Sequence, residues 1–149
     1  PVAALREMAR VVRPGGVVAV RDADYAAFSW FPLLPELDEW LRLYRAAARA
    51  NGGEPDAGRR LLAWAHAAGL HDAHPGVSAW LYATPSEREW WGGMWADRIL
   101  ESALSRQLLD EGLATHDELR AISEAWRRWT ELDDAWLSLL HGEILCRVR

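Results

Sequence analysis

Residues 5–24 read LREMARVVRPGGVVAVRDAD and decide the fold of the chain. Proline cannot continue a helical hydrogen-bond ladder and glycine accepts left-handed dihedral angles, so Pro14-Gly15-Gly16 predicts the end of a helix and a tight turn. The run VVAV at 17–20 is typical of a strand that is buried on both faces of a parallel sheet. A helix before the turn is indicated by apolar residues at helical spacing: Leu5, Met8, Ala9 and Val12. Helix, turn and strand together predict an α/β fold.

The strand is followed at once by polar residues, Arg21-Asp22-Ala23-Asp24-Tyr25. In open α/β sheets, ligands bind outside the carboxyl ends of the strands, so Asp22 and Asp24 are candidate catalytic carboxylates. The alternative is that both aspartates only cap or hydrogen-bond the turn.

Further along the chain, the patterns predict helices at about 36–50 and 56–68, and an alternating strand over 77–82. Residues 26–35 contain two prolines and no clean period, which predicts a loop or a short broken helix. A final strand is expected over 141–148, preceded by a helical turn at 136–140.

Two capping boxes mark further helix starts, at Thr84-Pro85-Ser86-Glu87 and at Thr115-His116-Asp117-Glu118. The first of these helices is expected to run toward Asp110 with an interruption or bend near Gly92-Gly93. The second is expected to run toward Glu131.

Composition excludes several classes of function. The 149 residues are 50% hydrophobic and carry a net charge of -5, so a nucleic-acid partner is not expected. All 17 basic residues are arginine, which excludes a Schiff-base lysine and a Walker-type phosphate loop. The single cysteine fits a reducing compartment, and neither a membrane span nor a signal peptide is evident, so a cytoplasmic protein is expected.

The helix, turn and strand of residues 5–20 resemble a signature of class I, Rossmann-like S-adenosylmethionine-dependent methyltransferases, notably the ubiquinone/menaquinone-biosynthesis type. The resemblance implies that 17–21 is the fifth strand of the sheet, 77–83 the sixth and 140–148 the seventh. It also implies that the chain is only the C-terminal portion of one methyltransferase domain, 1–149, with helical insertions at about 23–56 and 84–134. The order of these strands across the sheet would be five, seven, six.

The cofactor implied by this resemblance is S-adenosyl-L-methionine, which the family binds on a glycine-rich loop after its first strand. The 11 glycines of this chain include no G-x-G, so no cofactor-binding residue is expected here and the missing N-terminal half would hold the cofactor. The fragment alone is therefore expected to be inactive. It is also expected to self-associate through the exposed edge of strand 17–21.

The same resemblance places both insertions at the active-site edge of the sheet, where they would form a cap over a small aromatic or apolar methyl acceptor. Aromatic walls suit such an acceptor and exclude water. Arginine suits an anionic group of the acceptor. The expected substrate-binding residues are Tyr25, Trp30, Arg59, Trp80 and Trp91. The alternatives for them are ordinary core packing and, for Arg59, a solvated helix face.

Other chemistries have weaker support. His66, His71, His74 and Asp72 lack the spacing of a zinc site, so no metal is expected. His141 and Cys146 fit structural roles in the final strand, and no serine lies in a G-x-S-x-G elbow. The competing hypothesis is a non-catalytic, helix-rich binding module for a hydrophobic ligand or partner.

Overall fold

The structure is a computed structural model, and it describes residues 1–148 of the chain. These residues form two compact units. The sheet unit comprises Pro1–Ala27, Asp56–Trp80 and the chain from Leu139 on, and the helical unit comprises Phe28–Pro55 and Leu81–Ser138. No helix of the described residues is both long and apolar enough to cross a bilayer.

The sheet unit begins with the predicted helix, turn and strand. Helix α1 spans Val2–Val11 and strand β1 spans Val17–Ala23. Gly15 has a φ of +80°, and the amide of Gly16 donates to the carbonyl of Arg13 at 2.9 Å, which closes the turn. The sequence prediction for this segment is confirmed.

The rest of the sheet unit is built from short elements and two strands. The predicted helix at 56–68 is a 3-10 turn, Gly58–Arg60, followed by helix α3 at Leu61–Ala67. Strand β3 spans His74–Tyr82, and strand β4 spans Trp136–Arg147. A second 3-10 turn, Tyr25–Ala27, follows β1.

Strand β4 pairs with both β1 and β3. Its pairing with β1 is antiparallel, with Val18 opposite Cys146 and Asp22 opposite Gly142. Along β3 and β4, the contacts step in opposite directions, from Ser78 on Glu143 to Trp80 on His141, so β3 also runs antiparallel to β4. The predicted order of these three segments is confirmed. Their numbering as strands five, seven and six of a larger sheet stays a prediction.

One face of this sheet is packed. Helices α1 and α3 cover it with a core that consists of Leu5, Val18, Leu61, Ala65, Leu70, Ile144 and Cys146. The expectation that 17–20 is buried on both faces is wrong for the described residues, because Val17 is 49% exposed and Ala19 is exposed. Successive side chains of a strand point to opposite faces, and α1 and α3 lie against only one of them.

The helical unit contains four helices: α2 at Pro35–Ala50, α4 at Pro85–Glu101, α5 at Ala103–Asp110 and α6 at His116–Glu131. Both predicted capping boxes are present, at Thr84 with Glu87 and at Thr115 with Glu118. The expected interruption near Gly92-Gly93 is wrong. The helix ends instead at Ser102, whose hydroxyl accepts hydrogen bonds from the first turn of α5.

Gly92 has a packing role. A Cβ atom on this residue would lie 2.4 Å from Cγ2 of Thr130 in α6, whereas a Cβ on Gly93 would meet no atom within 4 Å. Gly92 therefore lets α4 approach α6 closely, and the helix continues through both glycines.

A short strand, β2, lies at Ser29–Phe31, within the segment predicted as a loop or broken helix. It pairs antiparallel with the beginning of β4, with Trp30 opposite Leu137. The helical turn expected at 136–140 is therefore wrong, and these residues are strand. Their sequence, WLSLL, satisfies both a helical and an alternating period, and the partner strand decides between them.

The core of the helical unit is aromatic. Trp40 packs edge-to-face on Trp95 and Trp126, with ring centroids 4.7 and 5.0 Å apart. Trp129 is also buried and donates its indole N–H to the carbonyl of Phe31 at 3.1 Å. Within the described chain, five buried indole nitrogens have no conventional hydrogen-bond partner: Trp30, Trp40, Trp91, Trp95 and Trp126. Edge-to-face contacts, in which a ring face meets a ring edge, surround Trp40.

Candidate functional site

The carboxyl end of β1 carries the two aspartates that the sequence singles out. The strand ends at Ala23, and the amide of Asp24 donates to the carbonyl of Leu140 at 2.9 Å, which holds the chain against β4 for one more residue. Asp22 is exposed, whereas Asp24 is 1% exposed. Two carboxylates that are two positions apart in the sequence therefore differ, one accessible and one buried.

Asp24 forms an ion pair with Arg59. Its Oδ2 accepts from Nε of Arg59 at 2.6 Å and from the backbone amide at 3.1 Å, and its Oδ1 accepts from Nη2 at 2.8 Å. Such a two-pronged pair fixes the plane of the guanidinium. Because both carboxylate oxygens are engaged, Asp24 orients Arg59, and proton abstraction by Asp24 would require this pair to open. The Arg59 side chain remains 53% exposed.

A close contact between two glycines brings Arg59 to this place. A Cβ on Gly142 would lie 2.0 Å from the carbonyl oxygen of Gly58, and a Cβ on Gly58 would lie 2.7 Å from the amide nitrogen of Gly142. The 3-10 turn therefore rests directly on the backbone of β4, opposite Asp22. Sequence reasoning missed this contact, because its two glycines are far apart in the chain and only the strand register relates them.

Asp22 is the carboxylate that is open to a ligand. Its side chain is exposed, and its Oδ1 accepts from the amide of Ala23 at 2.8 Å. An exposed carboxylate at the end of a strand can accept a hydrogen bond or a proton from a bound molecule.

A second polar group lies on the other face of the sheet and was not predicted. Glu143 accepts from the Ser78 hydroxyl at 2.5 Å and forms an ion pair with Arg21 at 3.1 Å. The guanidinium of Arg21 also lies over the ring of Trp80, 5.1 Å from its centroid. Four side chains from three strands thus form a single network, two of them from β3, and no sequence motif predicts it.

His141 lies beside this network. It is 5% exposed, its ring centroid is 4.3 Å from that of Trp80, and its Nδ1 is 3.1 Å from the carbonyl oxygen of Leu139. Burial, followed by the positive charge of Arg21, lowers the pKa of His141 below its ordinary value of 6.5.

The predicted substrate-binding residues divide between the two units. In the sheet unit, Tyr25 is half-buried in the first 3-10 turn, Arg59 is paired with Asp24, and Trp80 is 45% exposed. In the helical unit, Trp30 is 8% exposed, and Trp91 is 5% exposed and stacks on Tyr82 at 4.5 Å. A role of these residues in substrate binding stays a prediction.

The histidines that suggested a metal site do not converge. The rings of His66 and His71 are 6.1 Å apart, and no group of three histidine, cysteine or carboxylate side chains in residues 1–148 is placed to hold a metal ion. Cys146 is buried in the core of the sheet unit, as predicted.

The chain is similar over nearly its whole length to two named proteins, although no family model matches it. It is 35% identical over 150 residues to an uncharacterized methyltransferase of Schizosaccharomyces pombe, with 97% of the chain and 52% of that protein covered. It is 30% identical over 156 residues to a protein of Aspergillus luteorubrus named "Probable methyltransferase ltbC", with 97% and 53% covered. The chain thus spans about half the length of the curated relatives it matches. This similarity supports a methyltransferase, and nothing in it supports a non-catalytic binding module.

Proposed function

We propose that this chain is the C-terminal, acceptor-binding half of an S-adenosylmethionine-dependent methyltransferase with a class I, Rossmann-like sheet of the ubiquinone/menaquinone-biosynthesis type. The observation that carries the proposal is similarity along 97% of the chain to two proteins named as methyltransferases, of which the chain covers 52% and 53%. The order β1, β4, β3 agrees with strands five, seven and six of such a sheet.

The methyl donor, S-adenosylmethionine, is a substrate that binds mainly outside this chain. The expected glycine-rich loop has no counterpart in this sequence. Together with the relatives' greater length, this supports a donor site in an N-terminal half of the whole protein. The single cysteine supports a cytoplasmic location.

The acceptor contacts that we propose lie at the carboxyl end of β1. Asp22 offers an exposed carboxylate, Arg59 offers a guanidinium that Asp24 orients, and Tyr25 offers aromatic surface close to the two aspartates in the chain. Trp80 offers aromatic surface on the other face of the sheet, beside His141. This set suits a small aromatic or apolar acceptor that also carries a polar or anionic group. Methyl transfer is an in-line displacement, so positioning of the acceptor is the main task of these residues.

Calorimetric titration with S-adenosylmethionine tests the donor assignment. We expect the full-length protein to bind the donor and the 149-residue chain alone to bind none. Absence of binding by the full-length protein at millimolar donor would refute the proposed function. Binding by the isolated chain would refute the assignment of the donor site to the other half.

The variant Arg59→Gln tests the acceptor assignment. We expect it to raise the KM for the acceptor and to leave the Kd of the donor unchanged, because Arg59 acts on the acceptor alone in this proposal. Arg10→Gln is a matched control, since Arg10 is an exposed residue of α1 that forms an ion pair with Glu7 of the same helix. An equal effect of both variants would contradict a role of Arg59 in acceptor binding.

A further inference from the structure

His141 differs from every other histidine of the described chain in its burial. It is 5% exposed, whereas His66, His71, His74 and His116 are all exposed. In the register of the sheet it lies opposite Ala23 at the end of β1, on the face that carries Arg21 and Glu143, whereas Asp22 belongs to the other face. A buried histidine therefore lies at the carboxyl edge, where open α/β sheets bind their ligands.

Hydrogen bonding fixes the tautomer of His141. The carbonyl oxygen of Leu139, 3.1 Å from Nδ1, can only accept, so Nδ1 carries the proton. In the neutral ring, Nε2 then carries the lone pair. No hydrogen bond to Nε2 occurs within residues 1–148.

The surroundings keep this ring neutral. Trp80 of β3 packs against it, and the charged groups that act on it are Arg21 and Asp22 of β1 and Glu143 of β4. Burial and Arg21 lower the pKa of His141, which outweighs the opposite effect of Leu139 and the two carboxylates. An unprotonated imidazole near pH 7 is the usual form of a general base.

We infer that His141 is the general base that removes a proton from the methyl acceptor, through Nε2. This inference rests on the proposed function. The chain contains no lysine and Asp24 is engaged by Arg59, so the other candidate base at this edge is the exposed carboxylate of Asp22, which belongs to the opposite face of the sheet.

The proton transfer balances as follows. His141 Nε2 takes the proton from an O–H, N–H or C–H group of the acceptor, and the electron pair left on that atom forms the bond to the methyl carbon. The donor supplies the methyl group from a sulfonium and leaves as a neutral thioether, with the electrons of the broken carbon–sulfur bond on sulfur. His141 is left as imidazolium and returns its proton to water.

The first test measures the protonation state of the His141 ring in the full-length protein, without donor or acceptor, by ¹⁵N-detected NMR of the imidazole. We expect the Nδ1–H tautomer at pH 7 and a titration midpoint below 6.5, the ordinary value for histidine. An Nε2–H tautomer, or a midpoint at or above 6.5, would overturn the inference. This measurement needs neither donor nor acceptor, so its result is independent of the proposed function.

The second test uses the full-length protein, methyl-labelled S-adenosylmethionine and a small-molecule extract of the host as the source of acceptor. We expect His141→Gln to lower the initial rate of label transfer at pH 7 by roughly 100-fold or more. The Kd of the donor should stay within about twofold, since His141 acts on the acceptor. The rate of the variant should also lose the fall at acid pH that protonation of His141 causes in the wild type. His74→Gln is the matched control, with the rate of the wild type.

The outcomes separate the two claims. A wild-type protein that neither binds the donor nor transfers label refutes the proposed function. Active wild type together with a His141→Gln variant of near wild-type rate and unchanged pH profile refutes only the role of His141. If His141→Gln lowers the melting temperature, the rate of this variant does not decide the role of His141. The NMR result on the wild-type protein then decides it, because that result does not depend on how the variant folds.

Discussion

Replacement of Gly92 by alanine would place a methyl group against α6. The new Cβ would lie 2.4 Å from Cγ2 of Thr130, and 3.3 Å from both the carbonyl oxygen of Trp126 and the ring of Trp129. Thr130 cannot turn its methyl group away freely, because its hydroxyl donates to the carbonyl of Arg127 at 2.7 Å. The two helices must therefore move apart, or Thr130 must lose this hydrogen bond.

The size of the effect follows from two opposing contributions. Overpacking of a tight site costs about 1–3 kcal/mol, and alanine in a helix interior regains about 0.5–1 kcal/mol relative to glycine. We expect a net loss of about 1–2 kcal/mol for Gly92→Ala. For a chain of this length, that loss corresponds to a Tm lower by roughly 2–8 °C.

Gly93 provides the matched control, because it lies in the same helix and a Cβ there would meet nothing within 4 Å. Gly93→Ala should raise the free energy of unfolding by about 0.5–1 kcal/mol through helix propensity alone. Thr130→Ser removes Cγ2 and keeps the hydroxyl, so the double variant Gly92→Ala with Thr130→Ser should recover much of the loss.

Thermal unfolding of the 149-residue chain and these variants, followed by far-ultraviolet circular dichroism, measures all three effects. Equal melting temperatures of Gly92→Ala and Gly93→Ala would refute the close approach of α4 and α6 at Gly92. A double variant no more stable than Gly92→Ala alone would show that Thr130 is not the obstacle.

Three further predictions concern the sheet unit. Gly142→Ala should lower the Tm, because the new Cβ would lie 2.0 Å from the carbonyl oxygen of Gly58 in the 3-10 turn. It should also change the accessibility of Arg59, in the same turn, to an arginine-specific reagent. Unchanged stability would contradict the glycine contact. Asp24→Asn should lower the free energy of unfolding, measured in urea, by about 1–3 kcal/mol, since an amide NH₂ would face the donors of Arg59. Asp22→Asn, at the exposed position, should change this free energy little. The folded state lowers the pKa of His141 below 6.5, so the contribution of His141 to stability is complete above that pH and is lost as the pH falls below it. His141→Gln should make the free energy of unfolding depend less steeply on pH below 6.5, and an unchanged slope would contradict this.

The elements that could be predicted from sequence depend on short-range rules. Thr84 and Thr115 bond residues three positions along the chain, and both helix starts are confirmed. The turn at Pro14-Gly15-Gly16 is equally local. The break at Ser102 is also a local capping signal, but the glycine pair nearby offered a stronger conventional reason to expect a bend elsewhere.

Features that depend on distant partners could not be predicted. Strand β2 and the first residues of β4 define each other by pairing, and each alone is ambiguous between helix, loop and strand. The exposed face of β1 also depends on distant partners. A run of valines is typical of a strand that is covered on both sides, but in the described chain helices α1 and α3 pack against only one side of the sheet.

The candidate site shows the same division at the level of single residues. Asp22 and Asp24 are two positions apart, so strand alternation would place them on one face with similar exposure. The strand ends between them, however, and Asp24 instead turns inward to Arg59 on a segment that a glycine contact with β4 holds in place. The sequence therefore predicts the sheet edge that carries both carboxylates, whereas the end of the strand determines which carboxylate is exposed and which one orients a neighbouring side chain.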